Sequence, residues 1–310
     1  MKLKAKIKEV IKRPRLIWLF VLNRMAKYIK NDEKYLKWHW YIITGRKLDL
    51  ENPQTFNEKI QWLKLYNRRP EYTNMVDKYE AKKYVEAILG KDYLIPTIGV
   101  WEDVNNIDFN SLPDRFVLKT THDGGGVGVF VVRDRSRLNV EDIKNKIVQS
   151  LKTNHYATQR EWVYKNINPR IIAEEYKEDE TGNLNDYKFF CFNGEPKVLF
   201  YASDRYNKKG ESPKFDYYDM NLNHLPVKSH GHDNAKNHLK PFPEFEAMKD
   251  IARKLSKDIP FVRVDLYKVQ GKIYFGELTF YHDSGTVALE PKEWDYTFGS
   301  WLNLPDKRYV

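Results

Sequence analysis

The chain has 310 residues, 41% hydrophobic and 31% charged, with a formal net charge of +10. That length supports a sizeable core and one large or two to three interlocked domains, and a single cysteine, Cys191, excludes a disulfide framework and a cysteine-based zinc centre. The charge is lopsided: residues 1–30 carry ten Lys/Arg against one acid, Glu9, whereas the other 280 residues carry 43 basic and 42 acidic side chains, so the body is near neutral and a nucleic-acid-binding body is not expected.

The N-terminal arm reads basic, then Leu16-Ile17-Trp18-Leu19-Phe20-Val21-Leu22, then basic again. Seven apolar residues fall far short of the ~20 that span a bilayer, and no small-residue cleavage site follows, so a secretory signal is not expected. Two readings stay open: a basic helix lying on an anionic membrane face, or a helix packing Trp18 and Phe20 on the body. Residues 34–45, rich in Tyr35, Trp38, Trp40 and Tyr41, read as helical. Thr55-Phe56-Asn57-Glu58 is a capping box opening a helix with Ile60, Leu63 and Tyr66 inward. A further helix is predicted from Asp77, with Ala81, Tyr84, Val85 and Ile88 at helical spacing and Gly90 as its stop. Leu94–Val100 reads as a short edge strand.

Strands then dominate, over 115–120, 127–133, 170–176, 186–192, 196–202, 261–268 and 272–280, interrupted by helices at about 140–151 and 244–257. The mix predicts an α+β fold with mainly antiparallel hairpins. Cys191, within Phe189-Phe190-Cys191-Phe192, reads as a buried structural thiol. Residues 203–240 are polar and long with little regular pattern, the mark of a functional or mobile loop. His224, His230, His232 and His238 lie there, at no zinc-like spacing, and read as a solvated loop.

Two stretches carry chemistry. Phe116-Val117-Leu118-Lys119 leads into Thr120-Thr121-His122-Asp123-Gly124-Gly125-Gly126-Val127-Gly128 and returns as a strand. The dinucleotide spacing fails because Val129 stands where the third glycine belongs, and the P-loop pattern is absent. What remains is a hairpin flap whose backbone N–H groups close over phosphate, with Lys119 at its base, or else an ordinary glycine-rich turn. The second stretch, Phe261–Tyr267 and Ile273–Phe280, alternates with period two. Val262, Val264, Leu266, Tyr274, Leu278 and Phe280 are expected on one face and Arg263, Asp265, Glu277 and Thr279 on the other. A three-residue loop, Gln270-Gly271-Lys272, sets Asp265 opposite Glu277 and Arg263 opposite Thr279, where a two-residue turn would separate the carboxylates. Adjacent carboxylates repel unless a cation lies between them or one takes a proton. Oxygen-only ligation beside arginine suits Mg²⁺ carrying phosphate; an exposed cross-strand pair is the alternative.

The order of these features, with Asp77-Lys78 at a helix start, Glu174 at a strand end and Asp186, resembles the ATP-grasp superfamily. Thr55-Phe56-Asn57-Glu58-Lys59-Ile60-Gln61-Trp62, Asp77-Lys78-Tyr79 and Phe275-Gly276-Glu277-Leu278-Thr279-Phe280 look like its TupA-like branch, found with teichuronopeptide, capsule and exopolysaccharide biosynthesis. The resemblance spans about residues 35–300. It implies two α+β subdomains clasping ATP: a basic helical arm (1–48), a helical pre-grasp region (49–114), a glycine-flap lid (115–175) and a metal-binding and substrate subdomain (176–310). It implies that Lys78 and Lys119 contact ATP phosphates and that the flap of Asp123, Gly124, Gly125, Gly126 and Gly128 covers them. Glu174, Glu175 and Tyr176 would form the adenine hinge, Asp186 would take the ribose hydroxyls, and Asp265, Glu277 and Thr279 would hold Mg²⁺. Arg263, with Lys119, would steady the transferred phosphoryl group. Thr279 departs from the asparagine usual in the superfamily, which puts a second fully bound Mg²⁺ in doubt, and Ser284-Gly285-Thr286 falls where the family places acceptor contacts.

The resemblance therefore implies a cytoplasmic, Mg²⁺-dependent carboxylate–amine ligase acting through an acylphosphate, joining a uronic acid of a surface glycan or nucleotide sugar to an amino acid or other amine. Two rivals stand beside it. One is a glycosyltransferase of the same pathway, against which no two aspartates stand two apart. The other is a non-catalytic nucleotide-binding protein held at the inner face of the membrane by its arm.

Overall fold

The structure, a computed structural model, describes residues 14–124, 126, 128–180, 182, 184–203 and 213–307; Gly125 of the flap and the first 13 residues of the arm lie outside them. In chain order the elements are α1 (Ile17–Met25), α2 (Asp32–Thr44), α3 (Phe56–Tyr66), α4 (Glu71–Val76), α5 (Glu80–Leu89), β1 (Thr97–Trp101), β2 (Phe116–Thr120), β3 (Val129–Val132), α6 (Val140–Leu151), α7 (His155–Gln159), β4 (Ile171–Glu175), β5 (Asp186–Phe192), β6 (Glu195–Ser203), β7 (Lys214–Tyr218), β8 (His224–Leu225), β9 (Lys228–Ser229), α8 (Phe245–Leu255), β10 (Phe261–Val269), β11 (Lys272–Thr279), β12 (Leu289–Glu290) and α9 (Glu293–Trp301). Two antiparallel sheets dominate, ordered β1-β4-β2-β3 and β11-β10-β5-β6-β7-β8. Among the described residues, no helix is long and apolar enough to cross a membrane.

Each sheet has its own core. Phe116, Leu118, Ile171 and Ala173 of the four-stranded sheet pack on Ile143 and Ile147 of α6, with Val104, Ile107, Phe109 and Leu112 closing the edge. Its edge strand β1 comes from residues 97–101, ahead of the flap stretch. The six-stranded sheet is apolar over the whole of one face and, where α3 covers it, over part of the other. On one face Met248, Ile251, Ala252 and Leu255 of α8 are buried, and Cys191 is sealed there, its sulfur donating to the Ala252 carbonyl at 3.8 Å. On the other, Phe56 of α3 stacks on Phe190 and meets Phe192, Phe261 and Phe298 edge-on, 4.8 Å from Phe261 centroid to centroid.

The capping box forms as expected: the Glu58 N–H donates to Thr55 Oγ1 (3.2 Å) and the Thr55 N–H to Glu58 Oε2 (3.0 Å). The helix it opens is buried nearly all round, not along one stripe, because α9 and the segment after β11 wrap it. Lys59 Nζ donates to the Gly299 and Leu302 carbonyls (2.8 and 2.7 Å), and Lys64 is fully buried. The helix expected from Asp77 starts at Glu80, with Asp77 capping it by accepting the Tyr79 and Glu80 N–H groups (2.8 and 2.9 Å).

Four expectations are corrected. The segment 203–240 is not patternless throughout: Lys214–Tyr218 adds a strand to the large sheet, with Tyr217 buried and 5.0 Å from Phe200, and the two-residue strands at 224 and 228 extend the framework. His224 is tied to Asp216 (2.9 Å) and its ring packs at a tilt against His238 (4.0 Å), so this pair is not a freely solvated loop. The β10–β11 hairpin has a two-residue turn, not three: Val269 pairs with Lys272, and Gln270 and Gly271 both take positive φ (50° and 75°). A bulge between Asp265 and Leu266 then absorbs Gly276, so Asp265 still pairs with Glu277 and Arg263 with Thr279. Past the bulge the faces swap: Phe275 joins Leu266 and Tyr274 joins Tyr267, so Tyr274 leaves the apolar face assigned to it.

Candidate active site

The working face of the large sheet is a short ladder of charge. Register places Lys188 on β5 opposite Asp265, and Asp265 opposite Glu277. Asp265 is fully buried. Arg263 grips it with two hydrogen bonds, Nε to Oδ1 and Nη2 to Oδ2 at 2.7 Å each, and reaches Glu277 Oε1 at 3.1 Å. Lys188 Nζ bonds Asp265 Oδ2 and lies 3.2 Å from Asp186 Oδ1. Burial pushes the Asp265 carboxyl up, but Arg263 and Lys188 outweigh it and leave its pKa lowered. Burial lowers Lys188 against the pull of Asp265. For Arg263, burial is overcome by Asp265 and Glu277, and its pKa is raised. Glu277, its side chain 38% exposed, is the carboxylate that opens to the cleft, and Thr279 Oγ1 lies 3.4 Å from it.

The four-stranded sheet supplies the opposing wall. Lys119 on β2 bonds Glu174 Oε2 on β4, while Lys82 of α5 bonds Glu174 Oε1 and reaches Thr97 Oγ1 at 2.8 Å. Burial raises the Glu174 carboxyl, but the two ammonium groups prevail and its pKa is lowered. Glu175 is exposed, with its N–H on the Pro96 carbonyl (3.1 Å). Tyr176 lies under Arg115 at 4.1 Å and donates to Glu178 (2.9 Å).

The flap base is built into this wall. Asp123 turns its carboxylate inward, accepting from His155 Nε2 (2.5 Å) and Ser150 Oγ (2.7 Å), and the Gly124 nitrogen lies 3.2 Å from the same ring nitrogen. Burial raises the Asp123 carboxyl; these partners more than reverse it. A Cβ on Gly128 would sit 1.9 Å from Thr120 Oγ1 and 2.9 Å from Asp123 Oδ2, so only glycine fits where the flap returns.

Lys78 joins the walls. Its N–H donates to the Thr121 carbonyl (3.0 Å) and its Nζ to the Asp123 carbonyl. Burial lowers its pKa, opposed first by the attraction of Glu277 across the cleft, while Lys119 adds repulsion. One ammonium therefore feels Glu277 on the large sheet and Lys119 and Asp123 on the small one. Tyr164 lies near both: burial raises its hydroxyl pKa, with Glu161 and then Glu277 adding to the shift and Arg263 opposing it, and its hydroxyl is 3.8 Å from where a Gly124 Cβ would stand.

Residues after β11 close one end. Asp283 and Ser284 take left-handed φ (46° and 55°), conformations that persist only when surroundings over-determine them. Here α3 does so: Gln61 Nε2 donates to the Ser284 and Gly285 carbonyls (2.8 Å each), and Lys64 Nζ to the Ser284 carbonyl (2.8 Å) and Oγ (2.7 Å). Burial brings Lys64 down to about 8. Arg263 Nη1 meets His282 Nδ1 at 3.0 Å; arginine only donates, so this nitrogen accepts and the ring is neutral, in keeping with a pKa that burial pulls down to about 4.

The cleft thus gathers Lys78, Lys119, Lys188 and Arg263 around Asp265, Glu277 and Asp186, cations for a polyphosphate and hard oxygens for a divalent ion. Both Asp265 oxygens already accept hydrogen bonds, but a carboxylate has about four lone-pair sites. The donor set fits Mg²⁺, with Glu277 the carboxylate most open to it. The sequence reading missed Lys188, Lys82, Lys64 and Tyr164. Two of the lysines had an available signal: Lys188 interrupts the apolar run of its strand after Asp186, and Lys64 lies seven residues after Asn57 on a helix whose other face is apolar.

The family model described as "TupA-like ATPgrasp" matches residues 58–303. No curated protein matches. Among solved structures, D-alanine–D-alanine ligase from Bacillus anthracis complexed with ATP is similar at 13% identity and a TM-score of 0.38, over 67% of this chain and 54% of that one. ATP-grasp ligase PsnB complexed with minimal precursor, Mg and ADP is similar at 10% identity and 0.37, over 72% and 57%. D-cycloserine synthetase DcsG is similar at 14% and 0.38, over 67% and 62%. The chain spans little more than half the length of the first two.

Proposed function

From the premise that this chain belongs to the TupA-like ATP-grasp family, we propose that it is an ATP- and Mg²⁺-dependent carboxylate–amine ligase. A carboxylate oxygen of the first substrate attacks the γ-phosphorus of ATP; the bond to the bridging oxygen breaks and ADP leaves. The amine nitrogen then attacks the acyl carbon, inorganic phosphate departs with the bonding pair, and the nitrogen gives up a proton as the amide forms. The acceptor class we favour is a uronic acid of a surface glycan or nucleotide sugar, amidated by an amino acid in the cytoplasm, as the family's association with surface-polymer synthesis implies.

The observation that carries the proposal is the ladder Lys188–Asp265–Arg263–Glu277 on the large sheet, with Lys78, bonded to the flap base through the Asp123 carbonyl, drawn electrostatically towards Glu277. Lys78 and Lys119 neutralise phosphate oxygens, with Glu174 holding Lys119 in place. Gly124, Gly126 and Gly128 let the flap backbone approach the phosphates, and Asp123 positions that flap through His155 and Ser150. Glu175 and Tyr176, at the end of β4, line the base of the nucleoside, and Asp186 the ribose. Arg263 and Lys188 meet charge developing on the transferred phosphoryl group, preorganised by Asp265 so that little reorganisation accompanies reaction. Asp265 and Glu277, with Thr279, would hold Mg²⁺, which when bound screens phosphate charge and orients the chain. Ser284, held by Lys64, offers its hydroxyl on the acceptor side. Flap closure excludes water before transfer.

The test is isotope transfer. Carboxylate oxygen labelled with ¹⁸O is expected in the released phosphate; unlabelled phosphate would reject the acylphosphate route.

A further inference from the structure

Helix α1 is apolar on two faces. Leu22 and Ala26 point inward onto Tyr35 in a small core of their own. The outer face carries Ile17, Val21 and Met25 at helical spacing, with Trp18 and Phe20 beside them and Tyr28 in the turn beyond. These six side chains are between 39% and 70% exposed. A helix that is hydrophobic all round is normally buried all round; this one is covered on one side only.

Its inner side is bolted down. Arg160 Nη2 donates to the Ala26 and Ile29 carbonyls (2.8 and 2.7 Å), Arg15 Nε to the Ile42 carbonyl (2.9 Å), and the Tyr35 hydroxyl contacts Asn23 Oδ1 at 3.1 Å. The outer face is therefore held in place, and none of the described residues covers it.

Charge identifies that partner. Residues 14–31 hold Arg15, Arg24, Lys27 and Lys30 and no acid, and residues 1–13 add six Lys/Arg against Glu9. Arg24 lies over Phe20 (5.9 Å) and Lys27 over Tyr28 (4.9 Å), so cations rim the apolar stripe. Apolar and aromatic side chains flanked by lysine and arginine, with net charge of one sign, match the acyl boundary and headgroups of an anionic bilayer. A second copy placed face to face would set like charges against each other. We propose that α1 and the turn after it are an interfacial anchor that docks the protein on an anionic lipid surface, α1 lying flat with Ile17, Trp18, Val21 and Met25 in the acyl boundary. This surface is independent of the ligase chemistry.

The experiment is flotation of the full chain with phosphatidylcholine vesicles, with and without phosphatidylglycerol. Binding is expected only with the anionic lipid and weakened by salt. The Trp18→Ser/Phe20→Ser double variant is expected to partition at least about tenfold less, and Arg24→Gln/Lys27→Gln to bind less while floating less salt-dependently. Emission assigned to Trp18, by difference from Trp18→Phe, is expected to shift blue on binding. Thermal stabilisation by Mg-ATP reports that each variant still folds around its cleft. Flotation that is absent, or unchanged in the double variant, overturns the proposal. So does a self-associated wild type that the double variant makes monomeric, because a second copy would then be the occupant.

Discussion

Lys188→Met is the sharpest single perturbation of the proposed cleft. It removes the ammonium between Asp265 and Asp186 while keeping a chain of similar length. Asp265 is fully buried but keeps both Arg263 hydrogen bonds, so the variant strips one charge-assisted contact, not the whole support. Such a bond is worth about 1.5–3 kcal/mol, less than the roughly 3–5 kcal/mol of a buried charge left alone. A loss of about 2 kcal/mol, or ~4–8 °C in Tm at 2–4 °C per kcal/mol, is expected by calorimetry. The Asp265 carboxyl should titrate higher, since the second of its two cations is gone. Turnover should fall far more than stability: removing a preorganised donor from a developing anion costs about 10²–10³ in kcat. The assay is amine-dependent ADP release, with ATP and ADP affinities measured by titration calorimetry. Catalytic loss with a folded protein is expected, together with a smaller preference for ATP over ADP. Turnover within a factor of about three of wild type, roughly 0.7 kcal/mol in the barrier, would refute the assignment of Lys188 to the transferred group.

The remaining expectations are simpler. Lys119→Ala and Glu277→Ala should each abolish ATP turnover without unfolding the protein; comparable activity in either would count against the cleft. Gly128→Ala should raise KM for ATP and lower Tm, because its Cβ would meet Thr120 Oγ1 at 1.9 Å; an unchanged KM would mean that the flap return tolerates a side chain. His39 is buried, and burial brings its pKa down to about 3 from 6.5. The unfolded chain therefore binds the extra proton first, and stability falls as pH drops from about 6.5 towards 3 at up to ~1.4 kcal/mol per pH unit. His39→Leu should flatten that slope by one proton in denaturant titrations at several pH values, and an unaltered slope would show that His39 titrates as an exposed ring.

Much of the architecture was legible because period and punctuation suffice for it. Asp186–Phe192 and Val140–Leu151 have the bounds read from the sequence, and the Thr55 capping box is present. The carboxylate pair was reached by a wrong route. A three-residue loop was inferred, whereas a two-residue turn plus a bulge at Gly276 restores the same register. Periodicity reports which face a residue takes, not where a strand gains a residue, and only glycine's presence hinted at the bulge. The strand at Lys214–Tyr218 was hidden because its alternate residues are polar or aromatic in a segment otherwise rich in Lys, Asn and His.

What stayed illegible shares one physical cause: pairing across elements. Lys188 looked like an interruption of an apolar strand, yet its cross-strand neighbour makes it part of the cleft. Asp123 looked like a phosphate-facing flap residue, yet His155 and Ser150, about thirty positions later, turn its carboxylate inward. Glu174 was read as part of an adenine hinge, and its side chain sits between Lys119 and Lys82, two partners the sequence order does not reveal. In each case the partner lies on another element, where periodicity along one strand does not reach. The ordering also suggests why α3 is so extensively buried. Asn57, Gln61 and Lys64 lie at helical spacing along one face, and each bonds the segment after β11: Asn57 Nδ2 to the Val287 carbonyl at 3.0 Å, the other two to Ser284. A helix with polar residues on its inner face gives up hydrophobic burial, and buried polar groups are retained only where they are satisfied. Here they hold two non-glycine residues in left-handed conformations beside Arg263 and His282. The stretch from Thr55 to Lys64 thus acts on the cleft at one remove, by fixing the backbone that carries Ser284 beside Arg263 and His282.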